Sequence, residues 1–240
     1  MSDQASTIMV NTLEPQSGTT LTVGRSGQNL QVNADSLKAN VVKDAGGNAV
    51  FTSDGSGNIS GLNAGFGSAQ TLISTTTVSS AVADISFTGI DSTYKEYVFE
   101  FITIQPVTDA ANFTFQAGSS YDTTLTSTYV NCYHFESGAT SLAYTPSRDQ
   151  GQGTAFQEIG DNVGNEADQC IVGELHLFNP ASTTFVKNWY ATMQEYADGS
   201  VSSQKLVAGY FNTTTALTQV QFKMSTGDIN AGKIKMYGIK

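Results

Sequence analysis

TQVQFKM (residues 218–224) and GKIKMYGI (residues 232–239) decide the fold class of this chain. In the first segment Val220, Phe222 and Met224 alternate with polar residues, and the second segment repeats the pattern. Residues two apart on a β-strand point to the same face, so each segment has one apolar and one polar face. The alternation predicts antiparallel strands with one face in a core and the other in water.

Six further runs have the same strand-like character. They are VADISFT (82–88), YKEYVFEFITI (94–104), STYVNCYHFES (127–137), CIVGELHLF (170–178), TFVKNWYATMQEY (184–196) and KLVAGYF (205–211). Turn-rich segments separate them, and we find no amphipathic pattern with a helical period of useful length. The series predicts an all-β fold, an antiparallel β-sandwich that is jelly-roll-like. Residues 138–169, rich in Gly, Asp, Asn and Gln, are predicted to be the longest irregular surface segment.

Composition and charge narrow the possible partners. Charged residues are only 13% of the chain, and the net charge is −10. Phosphate binding needs a basic face, so we expect no nucleic-acid partner. No apolar run has the length of a membrane span, and the first ten residues lack the features of a signal peptide, so we expect no membrane insertion and synthesis in a cytoplasm.

The composition changes near residue 66. Phe51 is the only aromatic residue before that point, whereas 23 of the 24 aromatic residues lie from Phe66 onward. A segment so poor in large apolar residues has little with which to bury a core of its own. We therefore predict two parts, a β-repeat stalk or anchor over residues 1–66 and a β-sandwich domain over residues 67–240.

A short repeat characterises the N-terminal part. SGTTLTV (17–23) returns nine residues later as SGQNLQV (26–32), and Leu21 and Val23, like Leu30 and Val32, occupy alternate positions on one face. Weaker echoes follow at 36–42, 47–53 and 57–62. This thin apolar stripe requires a cover, which is either the C-terminal domain or two further copies of the chain around a common axis. The even spread of small polar residues favours a homotrimer with these four residues in its core, and a flexible Gly/Ser-rich arm is the remaining alternative.

We find no set of residues with the spacing of a catalytic or metal site, and we predict a protein that is not an enzyme and needs no cofactor. There is no GxSxG motif for a serine nucleophile. His134 and His176 are the only histidines. Each has a glutamate two residues away, Glu136 and Glu174 respectively, so a His–carboxylate pair on one strand face is geometrically possible.

Two groups of residues leave alternatives open. Acidic residues gather in the irregular segment, which favours an exposed acidic loop over a cation site: Asp149, Glu158, Asp161, Glu166 and Asp168. Carboxylate pairs that meet only in space are not visible in a sequence. The cysteines, Cys132 and Cys170, lie in apolar strand-like runs that favour reduced thiols.

Three tyrosines are candidates for surface binding. Tyr121, Tyr144 and Tyr196 lie in or beside turn-like segments. A tyrosine on a loop offers a ring face and a hydroxyl to a sugar or a protein. We predict that these residues take part in surface binding.

Several segments resemble virion proteins of tailed phages that infect marine bacteria. STIMVNTLEPQSGTTLTVG (6–24) resembles the start of tail-fibre-type proteins. Three C-terminal segments resemble the β-domain that these virion proteins share: GIDSTYKEYVFEFITIQPVTDAANFTF (89–115), GELHLFNPASTTFVKNWYATM (173–193) and VAGYFNTTTALTQVQFKMSTGDINAGKIKMYGIK (207–240). The resemblance implies a trimeric virion protein, anchored by its N-terminal region to other virion proteins, with its C-terminal domain outward. It implies no active-site residues.

The sequence therefore favours a short trimeric phage fibre, similar to a tail fibre, whose β-domain contacts a glycan or protein of the host cell surface. The alternative is a capsid decoration or head-fibre protein with a purely structural role. A glycan depolymerase is the third hypothesis, which the lack of a long repetitive solenoid disfavours. In each phage hypothesis the protein is located in the virion, which is assembled in the host cytoplasm.

Overall fold

A computed structural model describes residue 39 and residues 41–44, 46–56, 58–62 and 69–240. Within these residues the chain forms sixteen β-strands and no helix, and hence no helix that is long and apolar enough to cross a membrane. The strands are β1 (Val41–Lys43), β2 (Ala49–Ser53), β3 (Ile59–Leu62), β4 (Gln70–Val78), β5 (Asp84–Thr88), β6 (Glu96–Pro106), β7 (Ala111–Ala117), β8 (Leu125–Phe135), β9 (Thr140–Tyr144), β10 (Gly151–Gly153), β11 (Gln157–Val163), β12 (Cys170–Phe178), β13 (Lys187–Ala197), β14 (Val201–Phe211), β15 (Gln219–Met224) and β16 (Ile229–Ile239). The expected all-β class is confirmed.

The chain divides into two units, Met1–Phe66 and Gly67–Lys240. In the first, β1, β2 and β3 form an antiparallel sheet of three strands among the described residues. Two connections of similar sequence join them, DAGGN (44–48) and DGSGN (54–58), of which residues 44, 46–48, 54–56 and 58 are described. In both turns the aspartate carboxylate accepts a hydrogen bond from the backbone N–H of the asparagine four residues later, at 2.8 Å and 3.1 Å. This Asp-to-backbone bond is the local reason why the chain reverses there.

The second unit is a large antiparallel sheet that closes into a nearly barrel-like shape. Its strands follow the order β4-β16-β6-β12-β13-β11-β7-β15-β5. On the free side of β13 the sheet continues through β14 and β8 to β9 and β10. β13 joins β11 through a single pair, Val163 with Ala197, at one end of the strand, so the sheet branches there.

The strands β13, β14 and β8 lie side by side in the sheet. They pair over eleven residues each without a register shift. On β13 the residues alternate strictly between buried and more accessible, with Trp189 buried and Tyr190 exposed. We call the face with the buried side chains the inner face and the opposite one the outer face.

An aromatic cluster fills the centre of the core. Phe222 on β15 is fully buried, and its ring centroid lies 5.1 Å from the centroids of both Phe99 and Phe101. Phe115 extends the cluster to Trp189, with ring centroids 4.8 Å apart. The edge-to-face geometry of these pairs is the arrangement that aromatic quadrupoles favour.

The prediction that residues 138–169 form an irregular surface segment is wrong. They contain β9, β10 and β11. β11 is interrupted by irregular pairing between Glu158 and Gly160 and between Gly160 and Val163. Such bulges break the alternation by which a strand is recognised in a sequence.

Candidate functional site

The predicted trimer-core residues Leu21, Val23, Leu30 and Val32 lie outside the described residues, so their role stays a prediction. The weaker echoes of the repeat reach the described part of the chain. There they correspond to β1, β2 and β3, with Val42 opposite Phe51 and Phe51 opposite Leu62. The apolar residues of the three strands are thus in register across the sheet.

The three candidate tyrosines lie at separate positions. Tyr121 is half-buried in the loop between β7 and β8, with a φ of 51°. Tyr144 ends β9, is 51% exposed, and donates its hydroxyl to the carboxylate of Asp149. Tyr196 lies half-buried on β13, and its hydroxyl donates to Ser200 at 3.4 Å. These residues do not form one site within the described structure, and only Tyr144 is an exposed aromatic surface.

The His–carboxylate pair that the sequence allowed is present at His176. Its Nε2 lies 3.3 Å from Oε1 of Glu174, and its Nδ1 bonds the carboxylate of Glu96 on β6. The imidazole ring is stacked on the ring of Tyr190, with centroids 4.5 Å apart. His134 is exposed on β8 and has no such pairing among the described contacts.

A second group of charged residues lies on the inner face, where the sequence predicted only core. The alternation that buries Trp189 and Met193 on β13 also buries Glu195, and on β14 it buries Lys205 with Val207. Glu195 and Lys205 are each only 1% exposed. Buried ions of this kind require close partners, because the protein interior solvates charge poorly.

The ammonium group of Lys205 joins two carboxylates. Its Nζ lies 2.6 Å from Oε1 of Glu195 and also pairs with Oδ1 of Asp161 on β11. Nζ further donates to Ser203 Oγ and, at 3.1 Å, to Oδ1 of Asn131 on β8. We call these residues together the inner polar cluster: Asn131, Asp161, Glu195, Ser203 and Lys205.

Asp161 links the inner polar cluster to a second cation. Its Oδ2 lies 3.1 Å from a terminal nitrogen of Arg148, which also pairs with Glu158. Burial acts against the charge of Arg148, but the carboxylates of Asp161 and Glu158 outweigh it and raise the pKa of the guanidinium. The Tyr129 hydroxyl donates to Oδ1 of Asp161 at 3.1 Å, and burial beside this carboxylate raises the pKa of Tyr129 far above its ordinary value.

These contacts correct one expectation from the sequence. The prediction of an exposed acidic loop is wrong for Glu158, which is half-buried, and for Asp161, which is 5% exposed, whereas Glu166 and Asp168 are exposed. The cations that pair with Glu158 and Asp161 are Arg148 and Lys205. Among the described residues there is also no group of three or more histidine, cysteine or acidic side chains arranged to hold a metal ion.

Glu195 is the least satisfied member of the inner polar cluster. Its side chain is fully buried, and its Oε2 makes no hydrogen bond within the described part of the chain. Burial raises the pKa of Glu195 to about 7, although the charge of Lys205 opposes this rise. The Glu195 carboxyl is therefore poised between its protonated and ionised forms near neutral pH.

We expect Glu195→Gln to remove a pH-dependent part of the stability. A carboxyl whose pKa is raised on folding, from 4.5 to about 7, stabilises the fold fully below pH 4.5, and this contribution is lost as the pH rises through 7. Between pH 5 and 8 the free energy of unfolding of the wild type should therefore fall relative to that of Glu195→Gln, by up to about 3 kcal/mol. Urea denaturation across this pH range measures the difference. The exposed Glu136→Gln should give a profile parallel to the wild type, and a parallel profile for Glu195→Gln would contradict the assignment.

A cavity of about 220 Å³ opens beside the inner polar cluster. The cluster residues line it on one side, and Tyr133 and Phe135 line another, with ring centroids 5.3 Å apart. The exposed Asn162 and Asp198 also line it, and the Asp198 N–H donates to the Asn162 carbonyl at 3.0 Å. The cavity therefore reaches the surface at Asn162 and Asp198, and it combines apolar rings with hydrogen-bonding groups.

Comparison with known proteins adds no family to this geometry. No family model, curated protein or solved structure matches the chain.

A second buried lysine shows what is special about the inner polar cluster. Lys187 is fully buried, but its Nζ donates to two backbone carbonyls, Phe185 O at 2.8 Å and Thr213 O at 3.1 Å. Burial lowers the pKa of Lys187. Lys187 thus holds two loops together with backbone acceptors alone, whereas Lys205 belongs to an ionic network that extends to a cavity.

Sequence reasoning missed the inner polar cluster, although a signal was present. In KNWYATMQEYA (187–197) Glu195 has the parity of Trp189 and Met193, and in VSSQKLVAGYF (201–211) Lys205 has the parity of Val207 and Phe211. A charged residue on the apolar face of a strand is either at the end of the core or in a buried ionic network. A charge on the apolar face of each of two neighbouring strands is the pattern that indicates such a pair.

Proposed function

We propose that this protein is a structural component of a phage virion, a short trimeric fibre similar to a tail fibre. The proposal rests on the positions in the sheet of the segments that resemble virion β-domains. The segments 89–115, 173–193 and 207–240 contain β6, β15 and β16 and most of β7, β12 and β13. Four of these strands, β16-β6-β12-β13, are consecutive in the sheet, so the resemblance extends over its connected body. The jelly-roll-like topology of the domain and the short repetitive stalk are part of this proposal.

Two surfaces support a role in assembly and attachment. In the three-stranded sheet Val41 and Ile59 are 42% and 56% exposed, as expected of a thin sheet that other copies cover in a trimer. On the outer face of the large sheet, Leu142, Tyr144 and Leu206 are 74%, 51% and 46% exposed. Tyr144 and Leu206 both pair with Val130 and so lie on the same face. Exposed apolar residues concentrated on one face are typical of an interaction surface, here for a host-surface glycan or protein.

Light scattering on the full chain tests the trimer. We expect a mass three times the 25.4 kDa of one chain, and a stable monomer at micromolar concentration would contradict the trimer. The double variant Val23→Asp/Leu30→Asp should dissociate it, because charges on the predicted inward stripe would repel around the axis. The matched control Thr22→Asp/Gln31→Asp adds the same charges to the opposite strand face and should remain trimeric.

Labelled antibodies on intact particles test the location. Labelling of the tail would support the fibre. Labelling of capsid vertices or faces would assign the alternative, a capsid decoration or head-fibre protein with a structural role. Particles without any label, when the antibody recognises the purified protein, would contradict a virion protein of either kind.

A further inference from the structure

We propose that the cavity beside the inner polar cluster binds one monosaccharide unit of a neutral glycan. In this assignment Glu195 and Asp198 accept hydrogen bonds from the sugar hydroxyls, and Asn131 donates to a sugar oxygen. The apolar face of the sugar ring lies against Tyr133 and Phe135. The binding itself stands on the cavity geometry, and only its meaning, contact with a host-surface glycan, rests on the proposed function.

The Glu195 carboxylate has an unsatisfied acceptor atom. Glu195 Oε1 is occupied by Lys205 at 2.6 Å, while Oε2 is buried without a hydrogen bond within the described residues. A buried carboxylate oxygen without a donor is destabilising, and such groups in native proteins are usually satisfied by water or by a ligand. A hydroxyl group donates the missing hydrogen bond.

The side-chain amide of Asn131 has a defined orientation. Its Oδ1 accepts hydrogen bonds from Lys205 Nζ and from Ser203 Oγ at 3.1 Å and 3.0 Å. An ammonium group is only a donor, so the amide oxygen of Asn131 faces Lys205 and the amide NH₂ points elsewhere. Asn131 lines the cavity, where its NH₂ supplies a donor beside the acceptor of Glu195.

The volume of the cavity suits a single sugar ring. At about 220 Å³ the cavity is much larger than the roughly 10–15 Å³ that suffices to hold one water molecule. It is smaller than the pockets that bury drug-sized ligands, which measure roughly 300–1,000 Å³. A single sugar ring is of the intermediate size that fits.

The charges of the residues that line the cavity decide the class of ligand. Asp161, Glu195 and Asp198 line the cavity together with one cation, Lys205, so an anion would be repelled. A second ammonium group is disfavoured because it would lie beside Lys205, which already pairs with two of these carboxylates. A neutral molecule with several hydroxyls brings donors without charge, and a purely apolar ligand would leave Glu195 unsatisfied.

Saturation-transfer difference NMR on the full chain tests the proposal, with D-glucose, D-galactose, D-mannose and N-acetylglucosamine as separate probes at millimolar concentration. We expect at least one of these sugars to receive saturation and to bind about tenfold more weakly, or not at all, in Glu195→Gln, which keeps the shape but loses one acceptor. Asp198→Asn, at an exposed residue, should weaken the same sugar without affecting the fold. Circular dichroism verifies that both variants are folded.

Tyr190→Ala is the matched control, because Tyr190 lies on the outer face of the same strand as Glu195. It should bind the sugar as the wild type does. A signal that Tyr190→Ala abolishes and Glu195→Gln retains would overturn the assignment, since the sugar would then bind the outer face.

Absence of saturation transfer to all four sugars with the folded wild type would also overturn the proposal, as would water alone in the cavity of crystals soaked with them. These outcomes are distinct from failure of the proposed function. A monomer, or particles without label, would contradict the fibre and leave a measured sugar site in place.

Discussion

Lys205→Met is expected to lower the free energy of unfolding by about 3–5 kcal/mol at pH 9, where Glu195 is ionised in the wild type. The substitution keeps an unbranched side chain of similar length and removes the ammonium charge together with its hydrogen bonds to Ser203 and Asn131. Lys205 is 1% exposed and lies between the carboxylates of Glu195 and Asp161. Without its charge Glu195 has no cation in a poorly solvating interior, and only Asp161 keeps one, Arg148. Chemical denaturation at pH 9 measures the loss.

The pH dependence of this loss identifies its origin. At pH 6 the Glu195 carboxyl, whose pKa is raised to about 7, is mostly protonated and needs no cation, so the deficit of Lys205→Met should be smaller there than at pH 9. The double variant Lys205→Met/Glu195→Gln should recover part of the stability at pH 9, because it removes the uncompensated charge. Lys95→Met, at an exposed lysine, should stay within about 0.5 kcal/mol of the wild type. A deficit that is independent of pH would contradict the electrostatic explanation.

Strands with a strict apolar alternation were predictable from the sequence. CIVGELHLF (170–178) coincides with β12, and the segments at 218–224 and 232–239 lie within one to three residues of the bounds of β15 and β16. Each of these strands buries one face, so apolar residues recur at every second position and the strand can be recognised in the sequence. Tyr97, Phe99 and Phe101 follow the same period on β6, and all three are buried in the core.

Strands that lack this alternation were missed. Within the described part of the chain β4 pairs with β16 alone, and most of its residues are exposed, so its Thr-rich sequence carries little hydrophobic period. β11 carries the buried polar residues Gln157 and Asp161 and is interrupted by bulges. In both cases the strand is held by backbone pairing with neighbours that are distant in sequence, and no local pattern reports such pairing.

The cavity could not be predicted from the sequence for a related reason. Its lining comes from β8, β11, β13 and β14 and from the turn after β13, which the sequence separates by up to about seventy residues. The polar residues Ser203 and Lys205 interrupt the apolar inner face of β14 between Val201 and Val207, so the strand-like run that the sequence shows begins only at Lys205. The alternation on β8 places Tyr133 and Phe135 on the same face as Tyr129, but only Tyr129 enters the core while the other two line the cavity.

Phe222→Ala is the second substitution for which we expect a large effect, a loss of about 3–5 kcal/mol in the free energy of unfolding. The Phe222 ring is fully buried and lies at the junction of five other phenylalanine rings, with centroid distances from 5.1 to 6.2 Å: Phe87, Phe99, Phe101, Phe113 and Phe115. Truncation removes the burial of the ring and leaves a cavity that the surrounding rings fill only in part, because they are fixed on three strands, β5, β6 and β7, of which β5 and β7 pair with β15. Thermal and urea denaturation measure the loss.

Two comparison variants separate this packing effect from the loss of any aromatic residue. Phe185→Ala removes a ring that is 67% exposed and should change the free energy of unfolding by less than about 0.5 kcal/mol. Phe222→Leu keeps much of the apolar volume and should cost clearly less than Phe222→Ala, since the cost of a core truncation rises with the volume of the cavity that it leaves. Because the inner polar cluster contains none of the rings around Phe222, the pH dependence that Glu195 confers should persist in Phe222→Ala. Equal losses for Phe222→Ala and Phe185→Ala would contradict the central position of this ring in the core.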